Sequence, residues 1–265
     1  MATFSAQVTD LIGGTLDQTA CDQWAVDGAR EIIVQLPASV QEKCSDKSTL
    51  NASTTTLDLD TATIGKVLYC TRNNGSYDIP CRFVNSVNAH LVDDSTATNY
   101  YAVADDPAYF IRDNKVEIKP NPTGAQNGFV YHLLYPSSID ISADSSIASF
   151  PIEAEHLLVL HIAMKQILQY QSSMATSWNS NITTALSNAS DVINNNQPSS
   201  TTDAYGALNN EDIEIMSAAL QLASSQLADA GSRLQQDSAK YQWYTDQYAK
   251  LAGDYTRAFA ALKGT

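Results

Sequence analysis

Two pairs of residues in this chain have types and spacing that could do chemistry. Glu153 and His156 form a Glu-x-x-His pair, which supplies one helix's share of the ligands in di-iron bundles. Such a site needs a second pair on another helix, and the sequence contains no second Glu-x-x-His. His156 and His161 are five residues apart, so on a helix they would point about 140° away from each other. We therefore expect no metal ion here.

The rest of the sequence contains no recognisable catalytic constellation. His90 and His132 lie in a β-type region without a paired acid, and Gly13-Gly14 is an isolated turn signal rather than part of a phosphate-binding loop. A hydrolase would need acids and histidines that the periodicity does not bring together. Four cysteines lack the C-x-x-C spacing of zinc or redox sites, and we expect them to be buried thiols: Cys21, Cys44, Cys70 and Cys81. The sequence thus predicts no enzyme and no cofactor.

The amino-acid composition limits the kinds of partner that the chain can bind. The 265 residues are 44% hydrophobic and 17% charged, which is typical of a globular chain with a real core. With 29 acidic and 15 basic residues the net charge is −14. That charge argues against tight nucleic-acid binding, which depends on basic residues that release counterions from the phosphates. It is compatible with DNA passing through a channel, or simply with a soluble acidic surface. No stretch has the apolar length of a membrane span and the N-terminus does not resemble a signal peptide, so we expect no membrane contact.

Near its N-terminus the chain has apolar residues at helical spacing. A stripe of apolar residues predicts a helix from about Asp17 to Leu36, with Thr19-Ala20-Cys21-Asp22 as a capping box and Pro37 as its end. Trp24 is expected to be a core residue of this helix. We assign residues 1–49 to the N-terminal helix of a bundle.

The period then changes to two, which predicts an antiparallel β module over residues 50–136. Two tight turns, Asn73-Asn74-Gly75-Ser76 and Asp113-Asn114, each separate two apolar-alternating segments and predict hairpins. Pro80 would have to lie at an edge or a bulge. The expected strands are 56–59, 66–72, 77–84, 109–112, 115–119 and 129–135.

Over residues 137–193 the apolar residues are again at helical spacing. Pro151 to about Ser172 predicts a helix with a broad apolar face, of the kind found in the middle of a bundle. A second, more polar helix is expected from Trp178 to Ile193. The Asn/Ser/Thr-rich stretch that follows predicts a flexible linker over residues 194–210.

The last segment, residues 211–265, has the strongest periodic signal and predicts a long helix. Apolar residues recur every seven positions in one row: Ile213, Leu220, Leu227, Leu234, Tyr241, Tyr248, Tyr255 and Leu262. A second row has mostly small or apolar residues: Met216, Ala223, Ala230, Asp237, Tyr244, Leu251 and Ala258. An unbroken helix would reach roughly 75 Å, although Gly231 and Gly253 could kink it. Seven heptads of this pattern need a packing partner, which is either the chain's own bundle or another subunit.

The predicted fold is therefore α+β: a helical bundle with an inserted small antiparallel β module and a long C-terminal heptad-patterned helix. Aromatic residues give large contact area at low entropic cost, so those of the last helix are the candidate protein interface. They are Tyr241, Tyr244, Tyr248, Tyr255 and Phe259. The alternative is that these side chains pack on the protein's own helices.

Two segments carry a family resemblance. The helix Gln23–Pro37, with sequence QWAVDGAREIIVQLP, resembles the opening helix of head-to-tail adaptor proteins of tailed bacteriophages. The segment from Leu134-Tyr135-Pro136 through Phe150-Pro151 and Glu153 to Leu160 resembles the strand-to-helix transition of the same virion proteins. With the order helix, β insertion, helices, the resemblance covers about residues 1–172.

The resemblance implies a structural virion protein without catalytic residues. It would form a homo-oligomeric ring, commonly of twelve subunits, between the portal protein and a tail tube, nozzle or neck protein. Such a ring is located at the portal vertex of the virion after assembly in the host cytoplasm, and DNA passes through its channel without specific binding. A different class of function also fits the sequence: a tail or surface module that binds carbohydrate or a receptor through its β domain.

Overall fold

A computed structural model describes residues 2–193 and 203–264 of the chain. It is an α+β protein, mainly helical, with two small sheets. The chain forms two compact units, Met1–Ile162 with Tyr255–Thr265, and Ala163–Asp254. Residues 194–202 of the predicted linker lie outside the described part of the chain.

The first unit begins with two helices, α1 (Phe4–Ile12) and α2 (Gln18–Gln35). The sequence did not predict α1, which buries Phe4, Val8 and Ile12. The predicted capping box of α2 is wrong: the N-cap is Asp17, whose Oδ1 accepts a hydrogen bond from the Ala20 amide at 3.2 Å. Trp24 is only partly buried, because the buried face of α2 runs through Ala25 and its neighbours instead.

Two short helical turns, α3 (Ala38–Gln41) and a 3₁₀ turn at Glu42–Cys44, lead into the β module. Its first sheet has the order β1-β8-β3-β4, from β1 (Ser45–Leu50), β8 (Gly128–Leu134), β3 (Ile64–Asn73) and β4 (Asp78–Pro80). All three of its pairings are antiparallel. Pro80 lies on the edge strand, as predicted.

The second sheet has the order β2-β7-β6-β5, from β2 (Thr56–Asp58), β7 (Lys115–Lys119), β6 (Ala108–Arg112) and β5 (Arg82–Phe83). Both predicted hairpins are confirmed. The module is not wholly antiparallel, however, because β5 pairs with β6 in parallel. A core between the strands contains Leu50, Cys70, Val116, Ile118 and Val130.

The described residues after Phe150 form three helices: α4 (Ile152–Ile193), α5 (Ala204–Asn209) and α6 (Ile213–Lys263). The two helices predicted over 151–193 are one continuous helix, so the polar stretch after Ser172 does not break it. The predicted linker over 194–210 contains α5, whose N-cap Asp203 accepts a hydrogen bond from the Gly206 amide at 2.6 Å. Gly231 and Gly253 do not break α6.

In the first unit, α2 and the start of α4 approach closely. A Cβ atom added to Gly28 would lie 2.7 Å from Cδ2 of His161, so a larger residue here would require the His161 ring or one of the helices to shift. The loop before α4 is fixed by two side chains: the Ile141 amide donates to Oδ1 of Asp22 at 3.0 Å, and the Ile147 amide donates to Oε1 of the buried Glu155 at 3.2 Å. This region builds a packed helical core around α2 and α4.

Candidate protein-interaction surface

The second unit contains a helical hairpin, formed by residues 163–193 of α4 and 213–254 of α6. Three contacts show that the helices are antiparallel, because partners later in α4 come earlier in α6. Gln171 Nε2 donates to Thr245 Oγ1 at 2.9 Å, the rings of Trp178 and Tyr241 lie 5.2 Å apart, and Ile182 lines the same groove as Leu234. In this unit the heptad-patterned helix therefore packs on a helix of its own chain, which is the first of the two partners considered for it.

The hairpin buries one of the two heptad rows of α6 more deeply than the other. Ala223, in the row that begins with Met216, is 2% exposed. The other row stays exposed along its first five members, from 72% at Ile213 to 37% at Tyr241. We call this set the outer row: Ile213, Leu220, Leu227, Leu234 and Tyr241. A row of large apolar side chains that each keep more than a third of their surface exposed is unusual for a monomer.

Helix α4 has an exposed apolar row of its own in Ile182, Leu186 and Ile193. The two rows lie on the same side of the hairpin, since Ile182 and Leu234 both line a groove of ≈ 270 Å³ between the helices. We call the surface made by the outer row together with Ile182 and Leu186 the hairpin face. It resembles one half of a four-helix bundle.

Two buried polar atoms belong to residues that line this groove. Nε1 of Trp178 and Oε1 of Gln226 have no hydrogen-bond partner among the described residues. Asp229 and Arg233, also on the groove, pair with each other at 2.9 Å and are both largely exposed. The groove is thus lined by both polar and apolar side chains, with one buried donor and one buried acceptor left to satisfy.

The structure divides the five predicted interface aromatics between the two units. Tyr241 packs on Trp178, and Tyr244 lies 5.3 Å from the ring of Tyr170. Burial, and then the neighbouring Tyr170, raise the pKa of Tyr244. Tyr248 is partly buried. Two of the aromatics therefore pack on the chain's own helix, while contact with a partner remains a prediction.

Tyr255 and Phe259 belong to the first unit and stack on each other, with ring centroids 6.0 Å apart. Phe259 is 9% exposed, and Lys263 Nζ lies 4.6 Å over its ring. Burial raises the pKa of Tyr255, and the negative charge of Glu31 adds to the effect. Phe259 is thus a core residue rather than an accessible contact.

Two of the polar residues that the sequence singled out, Glu153 and His132, make structural contacts. Glu153 binds Lys43 at 2.9 Å, and this hydrogen bond holds the pKa of the Glu153 carboxyl below its usual value. His132 is buried in the first sheet, where its ring nitrogens lie 2.9 Å from Ser48 Oγ and 3.0 Å from the Leu133 carbonyl. Over residues 2–193 and 203–264, no group of three or more His, Cys, Asp or Glu is placed to hold a metal ion.

Two further findings bear on partners. None of the helices in the described ranges combines the length and apolarity required to cross a bilayer. No protein-family model and no curated protein matches this chain.

Proposed function

We propose that this chain is a structural assembly protein of a tailed bacteriophage, a head-to-tail adaptor. In this role a ring of copies joins the portal protein to the tail or neck around an axial DNA channel. The observation that carries the assembly role is the hairpin face, an apolar surface at heptad spacing that the described residues cover only in part.

Exposure of that kind suits a protein that functions in contact with other proteins. Soluble monomers rarely expose contiguous apolar patches beyond a few hundred Å² unless the patch binds something. The hairpin face concentrates leucine, isoleucine and tyrosine along two neighbouring helices, whereas a pocket for a small molecule would be more enclosed. A subunit or partner helix is the natural occupant.

The virion role within that class is supported by the two resembling segments. Gln23–Pro37 includes most of α2, and the second segment runs from the end of β8 into α4, so both belong to the packed core of the first unit. The order of helix, β module and helices is also the order that the adaptor resemblance implies. An acidic chain is suited to a channel through which DNA must slide without sticking.

Cryo-electron microscopy of intact particles that carry this protein tests the proposal. We expect a closed ring of its density between the portal and the tail, with the hairpin visible in each subunit. Density on fibres or on the baseplate instead would refute the adaptor role.

A second candidate function, binding of carbohydrate or a receptor by the β module, is favoured by exposed aromatic pairs. Phe83 is 60% exposed at a sheet edge and lies 5.3 Å from the Tyr109 ring, and Tyr69 stacks on Tyr131 at 4.4 Å. Aromatic faces of this kind can stack on sugar rings. A glycan array probed with the full chain and with the Phe83→Ala variant tests this function. Glycan binding that Phe83→Ala abolishes would support it, and an array to which the full chain does not bind would refute it.

A further inference from the structure

We propose that Cys70 and Cys81 are a disulfide-forming pair, which a low-molecular-weight disulfide such as glutathione disulfide oxidises to a bond between strand β3 and the residue after β4. In the structure both residues are reduced thiols. The inference concerns the β module alone, so it does not depend on the adaptor role.

The strand register places the two residues directly opposite each other. In the antiparallel pairing of β3 with β4, Thr71 is opposite Pro80. The next position in that register brings Cys70 opposite Cys81, and the Cys81 amide donates a hydrogen bond to the Cys70 carbonyl at 2.8 Å. Opposite residues of a hydrogen-bonded antiparallel pair have Cα atoms about 5.5 Å apart, which is within the range that a disulfide spans.

The two thiols also lie in the same core. Opposite residues of an antiparallel pair have their side chains on one face of the sheet, and Cys70 and Cys81 belong to one cluster of buried residues. Burial raises the pKa of Cys70, and the neighbouring Cys81 raises it further. Burial, and then both cysteines, raise the pKa of Tyr109, which packs against the same cluster. The two sulfur atoms are therefore neighbours in space as well as in register.

The oxidation proceeds by two thiol–disulfide exchanges. The Cys81 thiolate attacks one sulfur atom of glutathione disulfide, so that a mixed disulfide forms and one glutathione leaves as its thiolate. The Cys70 thiolate then attacks the Cys81 sulfur atom, and the second glutathione leaves. The leaving thiolates take up the two protons that the cysteines lost, so the protein is oxidised by two electrons and the oxidant is reduced to two glutathione molecules.

Cys81 is the thiol that the oxidant reaches first. It is 9% exposed, against 0% for Cys70, and it follows β4, a strand of three residues at the edge of the first sheet. Short edge strands open at a lower free-energy cost than the centre of a sheet. Burial raises the pKa of Cys81 to about 12, against the opposing effect of the Arg72 guanidinium. Thiolate is therefore scarce, and we expect the native protein to be oxidised over hours, faster as the pH rises.

Peptide mapping of the full chain tests the inference. The native protein is incubated with millimolar glutathione disulfide at mildly alkaline pH, denatured, alkylated and digested without reduction. Trypsin cleaves after Lys66, Arg72 and Arg82, so the two cysteines fall in separate peptides, 67–72 and 73–82. We expect these two peptides as one linked species, and two alkylated cysteines where the reduced chain has four.

Two variants separate the pair from the other buried thiols. Cys81→Ala should abolish the linked species. Cys44→Ala is the matched control, because Cys44 is 0% exposed and its thiol donates to the Val40 carbonyl at 3.7 Å, so this variant truncates a core thiol outside the pair. It should give the linked species in wild-type yield. The oxidised wild-type chain should also melt about 3–6 °C above the reduced chain, since the bond closes a loop in the unfolded state.

Several results would overturn the inference. One is a chain that keeps all four thiols, both after native oxidation and after refolding in a mixture of reduced and oxidised glutathione. Another is a product in which Cys81 remains a mixed disulfide with glutathione. The others are linked peptides that contain Cys44 as often as the predicted pair, and an oxidised chain that melts below the reduced one, since the native geometry would then not fit the bond.

Discussion

The ring of Tyr241 lies 5.2 Å from that of Trp178, at an interplanar angle of 53°. This contact joins the outer row of α6 to α4 and marks the point where the apolar surface of the hairpin changes from aliphatic to aromatic. Tyr241 is still 37% exposed, so the same side chain can pack on its own hairpin and contact a partner. The next aromatic contact, between Tyr244 and Tyr170, is more buried and can be tested for stability alone.

Tyr244→Ala should lower the free energy of unfolding of the chain by about 1–3 kcal/mol, because it removes the ring that packs on Tyr170 and on Trp243. Urea denaturation followed by circular dichroism measures the change. Tyr244→Phe keeps the ring and should stay within about 0.5 kcal/mol of wild type. A Tyr244→Ala chain as stable as wild type would show that this side chain serves partner contacts only.

Gly28→Ala should destabilise the first unit by about 1–3 kcal/mol, despite the better helix propensity of alanine. The added methyl group would lie 2.7 Å from the His161 ring, and this packed ring or the helices α2 and α4 would have to shift. Thermal unfolding gives the change in midpoint.

Gly253→Ala is the matched control for that substitution. It also replaces a glycine inside a helix, but none of the described residues places an atom within 4 Å of the new methyl group. It should raise stability by about 0.5–1 kcal/mol, through propensity alone. Equal effects of the two substitutions would rule out the close helix approach at Gly28.

Local signals account for the parts of the fold that the sequence predicts well. The hairpin at Asp113-Asn114 forms because both residues adopt positive φ, 50° and 57°, which asparagine and aspartate tolerate best after glycine. Pro80 is found at an edge because it has no amide hydrogen to give to a central strand.

Non-local contacts account for what the sequence does not predict. Strand β1 is polar, with the sequence SDKSTL, and exists as a strand because it pairs along its whole length with β8, more than seventy residues later. The polar second half of α4 remains helical because it packs on α6 through Trp178. The heptad pattern predicts two apolar rows on α6. It does not predict which row faces α4 and which is more exposed, because that depends on contacts with the other helix.

Arg72 provides a test of the β module. It is 2% exposed, and its guanidinium donates to the Pro120 carbonyl at 2.9 Å and to Gln126 Oε1 at 3.0 Å. Lysine cannot reproduce this fork of donors, so Arg72→Lys should lower the free energy of unfolding by about 2–3 kcal/mol. Arg233→Lys, at an exposed ion pair with Asp229, should cost less than about 0.5 kcal/mol in the same assay. Similar losses for the two variants would contradict a structural role of the Arg72 fork.

The four buried thiols should make the protein sensitive to alkaline pH. Burial raises the pKa of Cys21 and of Cys44 to about 11 and that of Cys81 to about 12, and burial with the neighbouring Cys81 raises the pKa of Cys70. The unfolded chain ionises its thiols near pH 9.0, while the folded chain keeps them protonated. Their contribution to stability is therefore complete below pH 9 and is lost as the pH rises from 9 toward 11–12.

Urea midpoints at pH 8, 9.5 and 10.5 measure this loss. Cys70→Ala should reduce the stability at pH 8, because a core side chain is truncated, and should also flatten the decline above pH 9, because one ionising group is gone. At pH 8 a thiol reagent should label the native chain very slowly and all four cysteines after denaturation. Rapid labelling of the native protein, or an unchanged slope in Cys70→Ala, would show that these thiols are not held protonated in the core.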